Sequence, residues 1–242
     1  MKELLRNTLL AAPLVVALAL PKDGFGQIYT ETQYIPQNNF FGMNFKNEDG
    51  KSTPMQRVYA ESVSNNFGIS LWANHSLDNK TIEEVDISFF LDFAAEFKGF
   101  DLSSRQWAAA YVFASSEPNA FAFGTDINVT VGNAKSSTHL DLATYGPIDD
   151  RIAGMLAYQK FAYTISEGPI TITPFAAVAA NQEYFNEAKG LSHAEAGVEA
   201  SYEVGEGVSL TVKTTAQKRI NKLFEPLVED GAYTSVSVSK TF

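Results

Sequence analysis

The chain has 242 residues, no cysteine, and 18 Lys and Arg against 28 Asp and Glu, for a formal net charge of −10. The absence of thiols excludes disulfide staples and thiolate chemistry, and the acidic balance excludes a nucleic-acid binder, which needs a basic face. With 18 Phe, 10 Tyr and a mean hydropathy of −0.10, the composition suits alternating strands better than apolar helical spans.

Lys2 and Arg6 precede an apolar run from Thr8 to Leu20, interrupted by Pro13. That run is shorter than the ~20 residues of a spanning helix. Gly24 and Gly26 then place small residues ahead of a cut before Gln27, and a cut after Ala19 is the earlier alternative. Residues 1–26 are read as a secretory signal peptide and 27–242 as one domain. Lys2, Arg6, Lys22, Glu3 and Asp23 lie in the signal, which leaves 15 basic and 26 acidic residues, a balance of −11.

Beyond residue 26 the sequence predicts twelve strands. They run over 28–45, 55–64, 67–77, 82–97, 102–114, 120–131, 136–145, 151–165, 170–180, 191–204, 208–220 and 232–242. Most are twice the ~5–6 residues of a soluble strand and match the ~9–11 needed to cross hydrocarbon on a tilt. Their connections sort by parity. Asn65-Asn66, 98–101, 132–135, 166–169 and 205–207 are tight, whereas 46–54, 181–190 and 221–231 are long and charged. Tight turns at one end and longer loops at the other are the asymmetry of a membrane barrel. The expected fold is all-β: a transmembrane, antiparallel, up-and-down β-barrel of about twelve strands with both termini on the short-turn, periplasmic side.

Several segments have legible faces. Val85, Ile87, Phe89, Leu91 and Phe93 alternate with Glu84, Asp86, Ser88 and Asp92. Phe121, Phe123, Ile127 and Val129 alternate with Asp126, Asn128 and Thr130. Ala194, Ala196, Val198 and Ala200 alternate with Glu195, Glu199 and Glu203. Such alternation suits lipid outside and water inside, although a soluble sheet with one wet face shows the same rhythm. Pro36, Pro174 and the mixed run 155–163 leave the first, second, eighth and ninth segments unclear. Phe67, Trp72, Phe97, Phe100, Trp107, Tyr184, Tyr233 and Phe242 are candidates for the aromatic girdles at the two interfaces. The last segment alternates up to Phe242, as a closing barrel strand would. Through it the chain is expected to engage the barrel assembly machinery.

Phe67-Gly68-Ile69-Ser70-Leu71-Trp72-Ala73-Asn74, followed by Glu84-Val85-Asp86-Ile87-Ser88, resembles the third and fourth strands of the TorF-type porin family. Residues 191–198 and 207–212 resemble its tenth and eleventh. The likeness covers about a third of the chain. The family's aromatic-Arg-Gly signature in the first strand reads Phe40-Phe41-Gly42-Met43-Asn44 here, without the Arg. The resemblance implies a small bacterial outer-membrane barrel with a transport role.

Catalytic signatures are sparse. His75, His139 and His193 lie on three segments without ligand spacing. His139 with Ser136 or Ser137 is the one conceivable Ser–His arrangement. Glu83-Glu84-Val85-Asp86 and Asp149-Asp150 are the acidic clusters that could attract calcium, and solvated loop and lumen carboxylates are the plainer explanation. No enzyme activity, cofactor or metal is expected. The expected pore-lining residues are Glu84, Asp86, Asp92, Asp126, Glu195, Glu199, Glu203, Lys213 and Arg219. A lumen richer in acids than bases predicts a weakly cation-selective porin-like barrel for passive diffusion of small solutes or ions. The alternative is a closed structural or adhesion barrel whose acids pair with Arg105, Lys213 and Arg219. Expected partners are outer-membrane lipid and small solutes or cations.

Overall fold

The computed structural model describes residues 27–36, 39–40, 43–44, 54–78, 81–113, 120–145, 154–184, 188–225 and 228–242. The predicted signal peptide and Asp149-Asp150 lie outside the described residues, as do most of the loops 46–54 and 146–150.

Alternating residues cannot bury their apolar side on a helix, and here they form strands. The barrel strands are β1 (Gln27–Ile35), β2 (Met55–Ser64), β3 (Phe67–Ser76), β4 (Thr81–Phe97), β5 (Phe100–Phe113) and β6 (Ala120–Val131). The circuit continues with β7 (Ala134–Tyr145), β8 (Met155–Tyr163, resuming as Ile165–Glu167), β9 (Ile170–Gln182), β10 (Lys189–Gly205), β11 (Val208–Arg219) and β12 (Gly231–Thr241). Each strand pairs antiparallel with the next, and β12 returns to β1 through Thr241↔Tyr29 and Val238↔Thr32, which closes the sheet. Closure satisfies every edge, the condition for strands in hydrocarbon.

The sorting of connections holds. Asn65-Asn66, Lys98-Gly99, Gly132-Asn133, Gly168-Pro169 and Glu206-Gly207 are two-residue turns at one end. Asn65, Gly132, Gly168 and Glu206 take φ values of 51–58°, the left-handed conformation that matches a hairpin to the strand twist.

Two expectations are corrected. The first strand stops at Ile35, not at residue 45, because Pro36 follows. Asn39–Phe40 and Met43–Asn44 form a separate small pair. The eighth strand is broken at Thr164, opposite the Thr173-Pro174 pair of β9. Pro174 has no N–H to donate to the ladder. The register is unchanged across the gap, Ala162↔Phe175 before it and Ile165↔Ile172 after it.

The outer face is apolar: Phe89, Phe93, Phe121, Phe123, Phe161 and Val198 are all exposed. On a closed sheet this band has no aqueous role and marks the surface that meets lipid. Inside, three aromatic rings each lie across the glycine paired with them: Phe90 on Gly68, Trp107 on Gly124 and Phe175 on Gly197. A Cβ on Gly124 would stand 2.1 Å from the Trp107 ring. Gly124→Ala is therefore expected to displace that ring at a cost of about 1–3 kcal/mol. The check is the urea midpoint of protein folded in lipid vesicles; an unchanged midpoint would show that the ring is not held there.

Candidate functional site: the barrel lumen

The inward residues of β1 to β12 build the lumen in three levels. Nearest the short turns, Arg105 on β5 holds two acids. Its Nε and Nη2 donate to Asp92 at 2.7 and 2.8 Å, and its Nη1 to Glu61 at 2.8 Å. Its guanidinium also lies 3.7 Å from the Phe90 ring centroid. Tyr59 donates to the same Glu61, and Tyr29 to Glu31 at 3.0 Å. Bidentate pairing in a fork geometry fixes this node rigidly. Its side chains are 18–35% exposed, so water screens part of its attraction.

The middle level is a cavity of about 440 Å³. One wall carries Glu195 of β10, which accepts from Tyr158 at 2.8 Å and from Tyr233 at 3.4 Å. Lys160 and Lys213 stand beside it, their ammonium groups 4.6 and 4.9 Å from the Phe175 ring centroid. Arg57 lies across the cavity, 5.3 Å from the Trp72 centroid, and Asp126, joined to His139 at 2.7 Å, adjoins Tyr158, the register partner of His139. His139 in turn stacks on Trp107. Polar side chains such as Gln33, Asn128 and Ser235 complete the lining.

At the long-loop end the lumen narrows on an apolar cluster. Tyr184 from the β9–β10 connection and Phe224 and Val228 from the β11–β12 connection are buried against Leu156, Ala122 and Ala143, with Trp107 and Tyr111 packed alongside. Ala122 and Ala143 are cross-strand partners on the inward face, so the side chains of Tyr184, Phe224 and Val228 lie in the mouth. Asn221 starts a single helical turn, Lys222–Phe224, by accepting the Leu223 N–H at 3.0 Å. The Tyr184 hydroxyl donates to Asp141. Outside the membrane span, a hydrogen bond from Lys218 and another from the Arg219 N–H hold the exposed Asp230 carboxyl below the usual range.

The residues expected to line a pore divide among these levels. Asp126, Glu195 and Lys213 line the cavity. Asp92 belongs to the Arg105 node. Asp86 is buried, opposite Trp72 and Tyr111 in register, and Glu84 lies on the same face nearer the long loops. Glu199 is the register partner of Lys213. Glu203 is exposed beside the short turn at 206–207. Arg219 sits at the rim, donating to the Val228 carbonyl at 3.2 Å with Glu225 at 3.6 Å.

Sequence reasoning missed Arg57, Tyr158, Lys160 and Phe175. The signal existed on β2, where Arg57, Tyr59 and Glu61 alternate with Val58, Ala60 and Ser62. It was harder to find on β8, where outward Gln159 hides the alternation. Trp72, Trp107, Tyr184 and Tyr233, expected in the interfacial girdles, instead face inward or pack in the mouth. The Ser–His arrangement at His139 does not form. Ser137 donates to Asn128, while Ser136 accepts from Gln159 on the opposite face.

A closed barrel with an exposed apolar band and a charged interior defines an outer-membrane β-barrel of the porin fold. Among solved structures the chain is similar to the KdgM porin in complex with disordered oligogalacturonate. The TM-score is 0.55 at 10% identity, with 90% of this chain and 99% of that chain covered. It is also similar to a second KdgM porin structure, with a TM-score of 0.53 at the same identity and coverage. No family model and no curated protein matches the sequence.

Proposed function

We propose that this barrel is a passive-diffusion channel for small hydrophilic solutes, weakly selective for cations, and not an enzyme. The observation that carries the reading is the charged cavity of about 440 Å³ inside a closed, lipid-facing sheet. The inward faces of β4 and β10 bring Glu84, Asp86, Asp92, Glu195, Glu199 and Glu203 to a lumen with fewer bases. Acidic linings of this kind favour cations. Residues 1–26 act in this reading as the export signal, and β12 engages the barrel assembly machinery. Membership of the TorF-type porins fits the same picture. The expected result in a salt gradient across a planar bilayer is a cation-favouring reversal potential that weakens in Glu195→Gln/Glu199→Gln. A potential unaffected by that pair would remove the acids of β10 from the selectivity.

A second reading is favoured by one specific observation. Lys160 and Lys213 flank Phe175 in the cavity wall without an ion pair to any described residue, and Arg57 faces them. Such a wall suits a solute carrying carboxylates and hydroxyls, the chemistry of the oligogalacturonate in the KdgM complex. An anion-favouring reversal potential, with current blocked by galacturonate oligomers and unblocked in Lys160→Gln/Lys213→Gln, would establish it over the first.

A further inference from the structure

Arg105 of β5 is held from three sides. Its Nε and Nη2 donate to Asp92 at 2.7 and 2.8 Å, and its Nη1 donates to Glu61 at 2.8 Å. Its guanidinium carbon lies 3.7 Å from the Phe90 ring centroid. Phe90 is 3% exposed and lies across Gly68 of β3, so the ring is a fixed seat for the cation. The bridge runs from β5 over β4 and β3 to β2. On β3 it passes only Gly68 and Ser70, the register partners of Phe90 and Glu61. Phe90 covers one side of the guanidinium plane, and the other side faces the lumen, with 29% of the side chain exposed.

The charges on this wall are one-sided. Strand parity turns Glu31, Glu61, Asp92, Glu96 and Asp101 inward, and all lie within five residues of the short-turn ends of their strands. Glu96 and Asp101 are direct register partners, two like charges face to face. Among the described residues of β1 to β5, the only lysine or arginine side chains are Arg57 and Arg105. Arg57 lines the middle cavity, and Lys98 sits in the exposed turn between β4 and β5. Arg105 is thus the one base set among these acids on the wall itself. Glu61 and Asp92 are 18% and 35% exposed, so water and passing ions reach them. Inward carboxylates attract cations, and a guanidinium fixed between two of them offsets much of that attraction.

We propose that Arg105 sets the ion selectivity at the short-turn end of the lumen, holding the cation preference of an acidic wall down to a weak one. The inference rests on the reading of this barrel as a channel. Its charge and its bracing of β2 against β4 and β5 are separable roles. Lysine at this position keeps the charge but lacks the planar fork that grips two carboxylates. Removal of Glu61 and Asp92 instead keeps the guanidinium and takes away the charges that neutralise it.

Reversal potentials in one potassium chloride gradient test it, with heat-modifiable migration showing that each barrel is folded. Arg105→Gln should raise the cation-over-anion permeability ratio severalfold, and more so at low salt, where screening is weaker. Arg105→Lys should stay near the wild-type ratio. Glu61→Gln/Asp92→Asn should move the potential toward anions, and it decides the matter alone if Arg105→Gln fails to fold. A folded Arg105→Gln barrel with an unmoved or more anion-favouring potential would overturn the proposal. So would an Arg105→Lys shift as large as that of Arg105→Gln, which would make Arg105 a brace only, or an acid-depleted variant that does not move toward anions. A wild type that prefers anions, but whose Arg105→Gln variant still moves toward cations, would sink the cation-selective reading and leave this inference standing. A folded wild type that conducts nothing would sink both.

Discussion

Phe89→Arg is expected to destabilise the barrel by about 2–4 kcal/mol, the cost of a cation near the bilayer midplane on the lipid face. Ser88→Arg, one residue earlier, should cost far less. Phe89 is 52% exposed on the outer face and lies against Phe67 of β3, ring centroids 6.3 Å apart. A guanidinium there leaves its donors unsatisfied in hydrocarbon. Ser88 points inward, between Ser70 and Ala109 in register, and shares its face with Asp86 and Asp92, which would attract the new charge. The two variants differ by a single step along one strand, so composition and local propensity are nearly matched and only the facing differs. Urea unfolding in lipid vesicles of stated composition measures both. Equal losses would mean that β4 does not present alternate residues to lipid and water.

Loss of the mouth cluster is expected to raise conductance severalfold. Tyr184→Ala/Phe224→Ala removes two side chains that are at most 2% exposed and that narrow the lumen beneath the long loops. Burial of an aromatic ring of this size ordinarily contributes about 3–5 kcal/mol. That stabilisation holds the two connections in the mouth, whereas the strand ladder is closed independently of them. The variant should therefore remain a heat-modifiable barrel with looser connections and a wider path. The check is single-channel conductance of wild type and variant under the same salt. An unchanged conductance in a folded variant would place the cluster outside the solute path.

The strands were legible in the sequence for a physical reason. A closed sheet between lipid and water requires the same alternation on every strand, so β4, β6 and β10 announce both their existence and their facing. The hairpin turns were legible because tight reversals require Asn or Gly in left-handed conformations, as at Asn65 and Gly132. The site was less so. Whether an inward acid is available to a solute depends on partners contributed by distant strands. Asp92 is occupied by Arg105, from the neighbouring strand, but Glu61 reaches the same guanidinium from 44 residues away. Lys160 was hidden because β8 places Gln159 on the lipid side, which breaks the rhythm that would have marked the lysine as inward. The mouth cluster was invisible for a different reason. Tyr184, Phe224 and Val228 come from connections, where no periodicity indicates which residues turn back into the barrel.

Single-channel recording of protein refolded into planar bilayers tests the central claim most directly. The sample should first show heat-modifiable migration and a β-type circular dichroism spectrum, so that silence cannot be attributed to misfolding. The account predicts small, discrete, ohmic steps with a cation-favouring reversal potential in a salt gradient. A folded barrel that conducts no current at all would contradict it, leaving a closed scaffold that acts through its loops.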